Sequence, residues 1–415
     1  MSRQGRLRIL CSAYACQPGR GSEPGIGWNV VTALSKKHDI WVLTRANNRE
    51  EIERALAAKP NPGLEFVYFD LPARYRWWKR GGRGIRAYYQ LWQRGARRTA
   101  ERLHRMVGFD AAQHVTFGQY WSPSFLARLP IPYVWGPVGG AEVFPRSLYA
   151  VTSPRAIVSS EIRRGFPAWA ERLPAVRQTA RNASLALACT PESQVRLHAM
   201  GAKRVELFSA VGLNGEDLKA IGQIQAPHDR AGPTRFLSVT RLLGTKGVEL
   251  GIRAFLRADI PGARYEIVGE GPDRARLERL IRAADATDRI HLCGWLTREA
   301  TLTRYSSADV LVHLSPAESG GFVCLEAMAA GLPVLYLAAG GPDTVVPDGA
   351  GIRVDLGSSA VVVDQAAAAM RLLDADHELR RRIGLTGREH AESVGTWDAR
   401  AGRLAGFLAE VAERP

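Results

Sequence analysis

Glu318 and Glu326 frame a glycine pair in the stretch Ser315-Pro-Ala-Glu318-Ser-Gly320-Gly321-Phe322-Val323-Cys-Leu-Glu326, with seven residues between the two acids. Apolar residues at Phe322, Leu325 and Ala329 predict a helix that opens at the glycines and stops at Gly331 and Pro333. The first-turn N–H groups of such a helix have no intrahelical partner and attract anions, and glycine lets a phosphate approach the backbone. Carboxylates beside a bound phosphate would repel it. The chemistry expected of Glu318 and Glu326 is therefore hydrogen bonding to hydroxyls, those of a sugar and of a ribose. Without a ligand they would be one surface acid and one helix-face acid.

A second stretch, Thr240-Arg241-Leu-Leu-Gly244-Thr-Lys246-Gly247, puts two cations on a glycine-containing turn. Arg241 offers a planar fork suited to phosphate oxygens, and Lys246 a mobile point charge. Alone the pair reads equally as a solvated basic loop. Opposite a helix start suited to anions, it reads as a diphosphate clamp.

A third, Gln17-Pro-Gly19-Arg-Gly21-Ser22-Glu23-Pro24-Gly25-Ile-Gly27-Trp28, has one residue too many for GxGxxG and lacks the lysine of a P-loop. It is expected to open a helix near Ile26–Leu34, with Gly25 and Gly27 toward a ligand. His114, in Gln113-His114-Val115-Thr116, is expected at a strand end, either facing the ligand or packed. Gly269 and Gly271 would crowd a nucleotide base or make a turn, and Gly340-Gly341-Pro342-Asp343 would reach the sugar. Gly136 to Glu142 would shape the acceptor side. Asp374 and Asp376 have the acidic spacing used for divalent metals but sit in a charged helical stretch, so no metal site is expected.

These loops need strands to place them. Short runs rich in Val, Ile and Leu recur at Leu7–Ala13, Asp39–Thr44, Leu64–Asp70, Ala111–Thr116, Pro132–Trp135, Leu185–Thr190 and Val205–Ser209. They resume at Phe236–Val239, Tyr265–Val268, Ile290–Cys293, Val310–Leu314, Pro333–Leu337 and Gly351–Val354. Near-continuous apolar runs alternating with helical segments such as Glu50–Ala58 and Asp273–Ala284 are the pattern of parallel sheets covered on both faces. The polar stretch Gly222–Pro233 interrupts the series. The fold class expected is α/β: two facing, doubly wound domains, with ligands in a cleft at the carboxyl ends of the strands. The divisions expected are 1–212, a linker 213–233, 234–390, and a C-terminal helix in 391–415 packing back on the first domain.

Composition agrees with a globular chain: 415 residues, 46% hydrophobic and 23% charged, with a formal net charge of +15. Five cysteines without CxxC spacing read as buried thiols in a reducing compartment. No run approaches the length of a membrane span, and the basic N-terminus runs directly into a strand-like segment, so a cytoplasmic location is expected.

Taken together the motifs resemble the retaining GT-B glycosyltransferases, specifically glycosyltransferase family 4. They run in family order: a glycine-rich loop after the first strand, Arg241 and Lys246-Gly247, Val268-Gly269-x-Gly271-Pro272, the two-glutamate stretch, then Gly340-Gly341-Pro342. Thr240 and Asp343 stand where that family usually has Gly and Glu. The resemblance implies transfer of a sugar from a UDP-, GDP- or similar nucleotide-sugar donor to a polysaccharide- or lipid-linked hydroxyl, with no metal or other cofactor. It implies catalytic roles for Arg241, Lys246, Glu318 and His114. It also implies donor contacts from Gly25, Gly27, Gly269, Gly271, Gly320, Gly321, Phe322, Val323 and Glu326.

Residues 74–105 carry eleven Lys or Arg and one acid, interleaved with Tyr75, Trp77, Trp78, Tyr88, Tyr89 and Trp92. Bases among aromatics suit an anionic membrane surface or single-stranded nucleic acid. Aromatics packed inward beneath a solvated basic face fit the same pattern. The transferase reading supplies a lipid-carried acceptor, so peripheral contact with the inner face of the plasma membrane is expected here and nucleic acid is not. A nucleic-acid-binding protein, or a GT-B-shaped epimerase, is the alternative.

Overall fold

The computed structural model describes residues 5–75, 78, 84–222 and 232–413. Strands β1 (Arg8–Ser12), β2 (Asp39–Thr44), β3 (Leu64–Tyr68), β4 (Ala111–His114), β5 (Tyr133–Val138), β6 (Leu185–Ala188) and β7 (Val205–Leu207) form one sheet, in the order β3-β2-β1-β4-β5-β6-β7. Strands β8 (Arg235–Val239), β9 (Arg264–Val268), β10 (Ile290–Gly294), β11 (Val310–His313), β12 (Val334–Leu337) and β13 (Gly351–Val354) form a second, in the order β10-β9-β8-β11-β12-β13. Each strand overlaps one of the thirteen apolar runs read from the sequence, to within a residue or two except for β5, which continues three residues past Trp135 to Val138. Neighbouring strands pair in parallel, as in β1 with β4 and β8 with β11. Burial on both faces explains why the runs are continuous rather than alternating: β4, β5, β6, β11 and β12 are buried at every position.

The helices are α1 (Ser22–Leu34), α2 (Arg49–Ala58), α3 (Ile85–Val107), α4 (Pro154–Ala170), α5 (Pro174–Asn182), α6 (Pro191–Ala199), α7 (Gly215–Gly222) and α8 (Val248–Ala258). They continue as α9 (Arg274–Ala283), α10 (Arg298–Ser307), α11 (Phe322–Ala329), α12 (Gly340–Val345), α13 (Ser359–Ala375), α14 (His377–Ser393) and α15 (Trp397–Glu413).

Two compact units result. The first takes Met1–Ala141, Pro167–Ala210 and Trp397–Pro415; the second takes Glu142–Phe166 and Val211–Thr396. This corrects the expected division in three places. Residues 142–166 belong to the second unit although they precede its first strand by some seventy positions. They hold no strand, and Phe144, Leu148 and Val151 are buried in that unit's core. Ser153 Oγ also donates to Asp273 at 3.1 Å. The expected linker is partly helical, because Leu218 and Ile221 give α7 an apolar side packed into the second unit; residues 223–231 of it lie outside the described residues. Residues 391–396 stay with the second unit, and only α15 joins the first. Trp397, Ala401, Leu404 and Leu408 of α15 are buried with Val30, Val31 and Leu34 of α1.

In both sheets the chain reverses its winding between the first strand and its later neighbour: β1 beside β4, and β8 beside β11. Crossovers diverge there, so the loops after those strands border an open crevice.

Candidate functional site

In the second unit the two loops at that reversal are the ones that carry the chemistry-bearing residues. Glycines interlock them. Gly247 has φ +67°, and a Cβ there would collide with the Leu314 carbonyl. Gly341 passes so close to the other glycine turn that a Cβ would lie 2.6 Å from the Gly320 nitrogen, and its own N–H donates to the Glu318 carbonyl at 2.6 Å. The loops after β8, β11 and β12 are therefore one rigid assembly of close backbone contacts.

Lys246 ends a short 3₁₀ turn, Gly244–Lys246, and its ammonium reaches across to the Glu318 carboxylate, with the Ala317 carbonyl 3.5 Å away. The Lys246 side chain is 13% exposed and that of Glu318 24%. Burial pushes the Glu318 carboxyl up, but the Lys246 ammonium, His313 and the Gly321 N–H outweigh it and hold it below the usual range. Glu318 is thus an ionised carboxylate already engaged by the lysine and by the turn that opens α11. Arg241 lies on the same loop, exposed, with no ion-pair partner among the described residues. Gly321, with φ +70°, caps α11, and Phe322 and Val323 follow as its first two residues. Their N–H groups belong to the set that a helix start leaves unpaired within the helix.

Glu326 is buried, 4% exposed, and both of its oxygens are taken. Arg298 donates to one at 2.7 Å and Tyr305 to the other at 3.1 Å, while Arg298 also meets Asp217 at 2.5 Å. Burial raises the Glu326 carboxyl despite the arginine. The sequence reading had this glutamate open to a hydroxyl; the structure closes it into a network on α7, α10 and α11. Gly269 and Gly271 have a backbone reason to be glycine. A Cβ at Gly269 (φ +139°) would strike the Thr240 carbonyl, and one at Gly271 would lie 2.7 Å from the Leu242 carbonyl carbon. Glycine is demanded there by the Lys246 loop itself, which these residues support from beneath.

Sequence reasoning missed several groups here. His313 ends β11 and is 4% exposed, with Nε2 lacking a hydrogen-bond partner. Ser315 is fully buried, with Oγ likewise unpartnered. Ser319 Oγ donates to the buried Glu142 at 2.5 Å, which sets Glu142 beside the two-glutamate turn of its own unit. The strand-end rule that selected His114 applies equally to His313. Nothing local in the sequence points to Arg298 or Tyr305.

In the first unit α1 begins at Ser22, not Ile26, so Gly25 and Gly27 lie inside the helix. A Cβ at Gly25 would collide with the Arg20 carbonyl and one at Gly27 with that of Ala15; both faces are packed, not open. Glu23 replaces them as the notable residue. It accepts the Gly118 N–H at 3.3 Å, and burial pushes its carboxyl above the usual range. His114 is 1% exposed, with Nδ1 3.1 Å from Ser124 Oγ. It does not stand open at the strand end, because β4 is an interior strand covered on both sides. Burial carries its pKa down to about 4, so the ring is neutral at physiological pH.

His313 behaves alike, with burial taking it to about 4. Both would accept a proton near 6.5 when the chain unfolds. Between 6.5 and about 4 the unfolded state therefore binds more protons, so their contribution is intact above 6.5 and is lost as the pH falls. Urea midpoints measured down that range are expected to drop, and His114→Gln is expected to flatten part of the drop.

The basic stretch resolves into two faces. Tyr88, Tyr89 and Trp92 of α3 are 0%, 1% and 0% exposed, in the core of the first unit. Arg94, Arg98, Arg102 and Arg105 lie exposed on its outer side. The aromatics expected to meet a membrane from this helix are instead packed beneath it, since burying large rings against the sheet removes more apolar area from water. Trp77 and the glycines at 81 and 82 lie outside the described residues.

The fold so described is GT-B. Over 99% of its length the chain resembles all of the sucrose-phosphate synthase of Thermosynechococcus elongatus, at a TM-score of 0.65 and 20% identity. Over 97% it resembles all of Anabaena HepE, solved in complex with UDP, at a TM-score of 0.64 and 17% identity. Residues 223–390 match the family described as Glycosyl transferases group 1, and this stretch contains β8 to β13 and every loop of the second-unit site. A GDP-mannose-dependent alpha-(1-6)-phosphatidylinositol monomannoside mannosyltransferase of Mycobacterium tuberculosis is 32% identical over 180 residues, 41% of this chain and 46% of that one. A sulfoquinovosyl transferase of Arabidopsis thaliana is 32% identical over 152 residues, 36% of this chain and 29% of that one. The matched region thus spans less than half the length of either relative.

Proposed function

We propose that the protein transfers a sugar from a nucleotide-sugar donor to a hydroxyl acceptor, with retention at the anomeric carbon and without a metal, in the assembly of a polysaccharide or glycolipid. The observation that carries this reading is the meeting of Lys246, Glu318 and the amino end of α11 where the second sheet reverses its winding. Support comes also from the relatives: the mannosyltransferase is named for a GDP-mannose donor and a lipid acceptor, and HepE was solved with UDP and with UDP-glucose.

Breaking the anomeric bond builds negative charge on the leaving diphosphate. Lys246, Arg241 and the first-turn N–H groups of α11 stabilise it, which lowers the barrier electrostatically. The Glu318 carboxylate lies against Lys246 and the Gly321 N–H, the groups that meet that anion in this scheme. Donor binding replaces it, and Glu318 turns to the sugar hydroxyls. Glu326 takes the ribose hydroxyls in place of the Arg298 contact, with Tyr305 keeping the carboxylate oriented. The acceptor oxygen bonds to the anomeric carbon on the face the diphosphate leaves, and the acceptor proton passes to a departing phosphate oxygen. A glycosidase-type carboxylate pair has no part in this scheme.

Thermal unfolding followed with UDP, GDP and their sugar conjugates tests the reading. A ligand at a hundred times its Kd stabilises by about 2.7 kcal/mol, enough to raise the midpoint by several degrees. If no nucleoside diphosphate or nucleotide sugar raises the midpoint, the donor site is not where it is placed here.

A further inference from the structure

Arg400 is a buried cation to which no acid of the described chain is paired. It sits in the first turn of α15 and is 6% exposed. Its hydrogen bonding is sparse: Nη1 donates to the Ser209 carbonyl at 3.5 Å, and Nε is buried without a partner. Burial and the neighbouring Arg403 bring its pKa down to about 10, so the guanidinium is still charged at neutral pH. Only the Cys189 thiol acts in the other direction, and an ordinary thiol is largely protonated at that pH. A desolvated charge without a counterion is among the costliest groups a fold can bury.

The surroundings deepen the deficit. Arg403, one turn on and exposed, lies over the Phe208 ring at 5.4 Å and adds a second positive charge. The start of a helix is itself the positive end of its dipole. The acid of the same turn, Asp398, is exposed and held by Lys36 at 2.6 Å. Arg400 also forms part of the wall of a small cavity, with Val30 of α1, Pro137 of β5, Phe208 just past β7, and Trp397 and Leu404 of α15. Every residue of that wall belongs to the first unit. The walls are mainly apolar, and the space holds about one water-sized occupant. A water there would accept from the guanidinium but leave its charge unopposed. A small anion does both.

We propose that this cavity binds one small monovalent inorganic anion of the chloride type, held by the Arg400 guanidinium between α15, α1 and the carboxyl ends of β5 and β7. Phosphate or sulfate brings further oxygens that need donors, and apolar walls supply none. A halide needs few directed donors and suits a mainly apolar space with one guanidinium. The ion neutralises a charge that α15 carries into the core of the first unit, where Trp397 and Leu404 are buried with Val30. No residue of the Lys246 loop assembly takes part, so the site stands apart from the donor reading.

Thermal unfolding of the full chain at fixed ionic strength, with sodium gluconate replaced stepwise by sodium chloride, tests this, since gluconate is too bulky for the cavity. The wild-type midpoint is expected to rise by at least about 2 °C, steadily with the logarithm of chloride concentration, as binding to the folded state requires. Arg400→Met, apolar and of similar length, should show no rise. Its midpoint in gluconate should be no lower than that of the wild type, because no desolvated charge remains. A flat wild-type response overturns the proposal, as does an equal rise in Arg400→Met, which would be a general salt effect. Cys189→Ala should keep the chloride response; a response that appears only after that change would make the thiolate the counterion and overturn the proposal too. Crystals of the wild type soaked in sodium bromide give a reading that needs no variant. An anomalous peak against Arg400 is expected there, and a water in its place overturns the proposal. Neither readout involves sugar transfer, so the anion site fails or succeeds separately from the donor site.

Discussion

Lys246→Ala is expected to lower kcat/KM for sugar transfer at least about a hundredfold, the usual loss when one donor aimed at developing charge is removed. Two effects act together. The leaving diphosphate loses its only ammonium on this loop. Glu318, meanwhile, loses the cation that does most to hold its carboxyl below the usual range, so burial is opposed only by His313 and the Gly321 N–H and its pKa rises. The two separate by comparison with Glu318→Gln, which removes the carboxylate charge but leaves the lysine. If the clamp is the larger effect, Lys246→Ala is much the slower enzyme of the pair. Lys246→Arg should restore part of the rate, because charge is kept while the geometry changes. Near-normal turnover by Lys246→Ala, with the protein folded and nucleotide bound, would remove the clamp from the mechanism.

Gly269→Ala should destabilise the chain by about 3 kcal/mol or more, near the upper range for a single substitution. The backbone at Gly269 has φ +139°, a region that L side chains rarely adopt, and the added methyl would meet the Thr240 carbonyl. Backbone cannot step aside as a flexible side chain can, so either β9 or the Lys246 loop must shift. Chemical denaturation of the purified variant measures the loss. If Gly269 were instead a donor contact on an open turn, the variant would keep its stability and lose only donor affinity, and that result would refute the packing account. Gly21→Ala is the matched control: the space around that glycine is open and its φ is negative, so less than about 1 kcal/mol is expected.

The strands were legible because each is a short apolar run closed by glycine, proline or polar residues, and burial on both faces of β4, β5, β6, β11 and β12 leaves those no alternation to misread. The strand order, and with it the reversals at β1/β4 and β8/β11, was not read from the sequence and comes from the structure. Lys246 and Glu318 were legible as types at strand ends. That they meet each other was not, because the pair is separated by 72 residues and nothing local encodes the distance. Glu326 shows the limit more sharply. Its position in a helix start suggested an open carboxylate, while the partners that close it, Arg298 and Tyr305, come from a helix with an ordinary polar sequence.

The sequence by itself determined the two parallel sheets, the loops that follow their strands, and the cations and acids on those loops. All of these are properties of short segments, set by apolar runs and by glycine. The tertiary structure alone decided three further things: which glycines are held by close backbone packing, the transfer of residues 142–166 to the second unit, and the opposite fates of the aromatics on α3, buried, and on α4, exposed. Each depends on what another part of the chain covers, and burial is a property of the folded whole rather than of any segment within it.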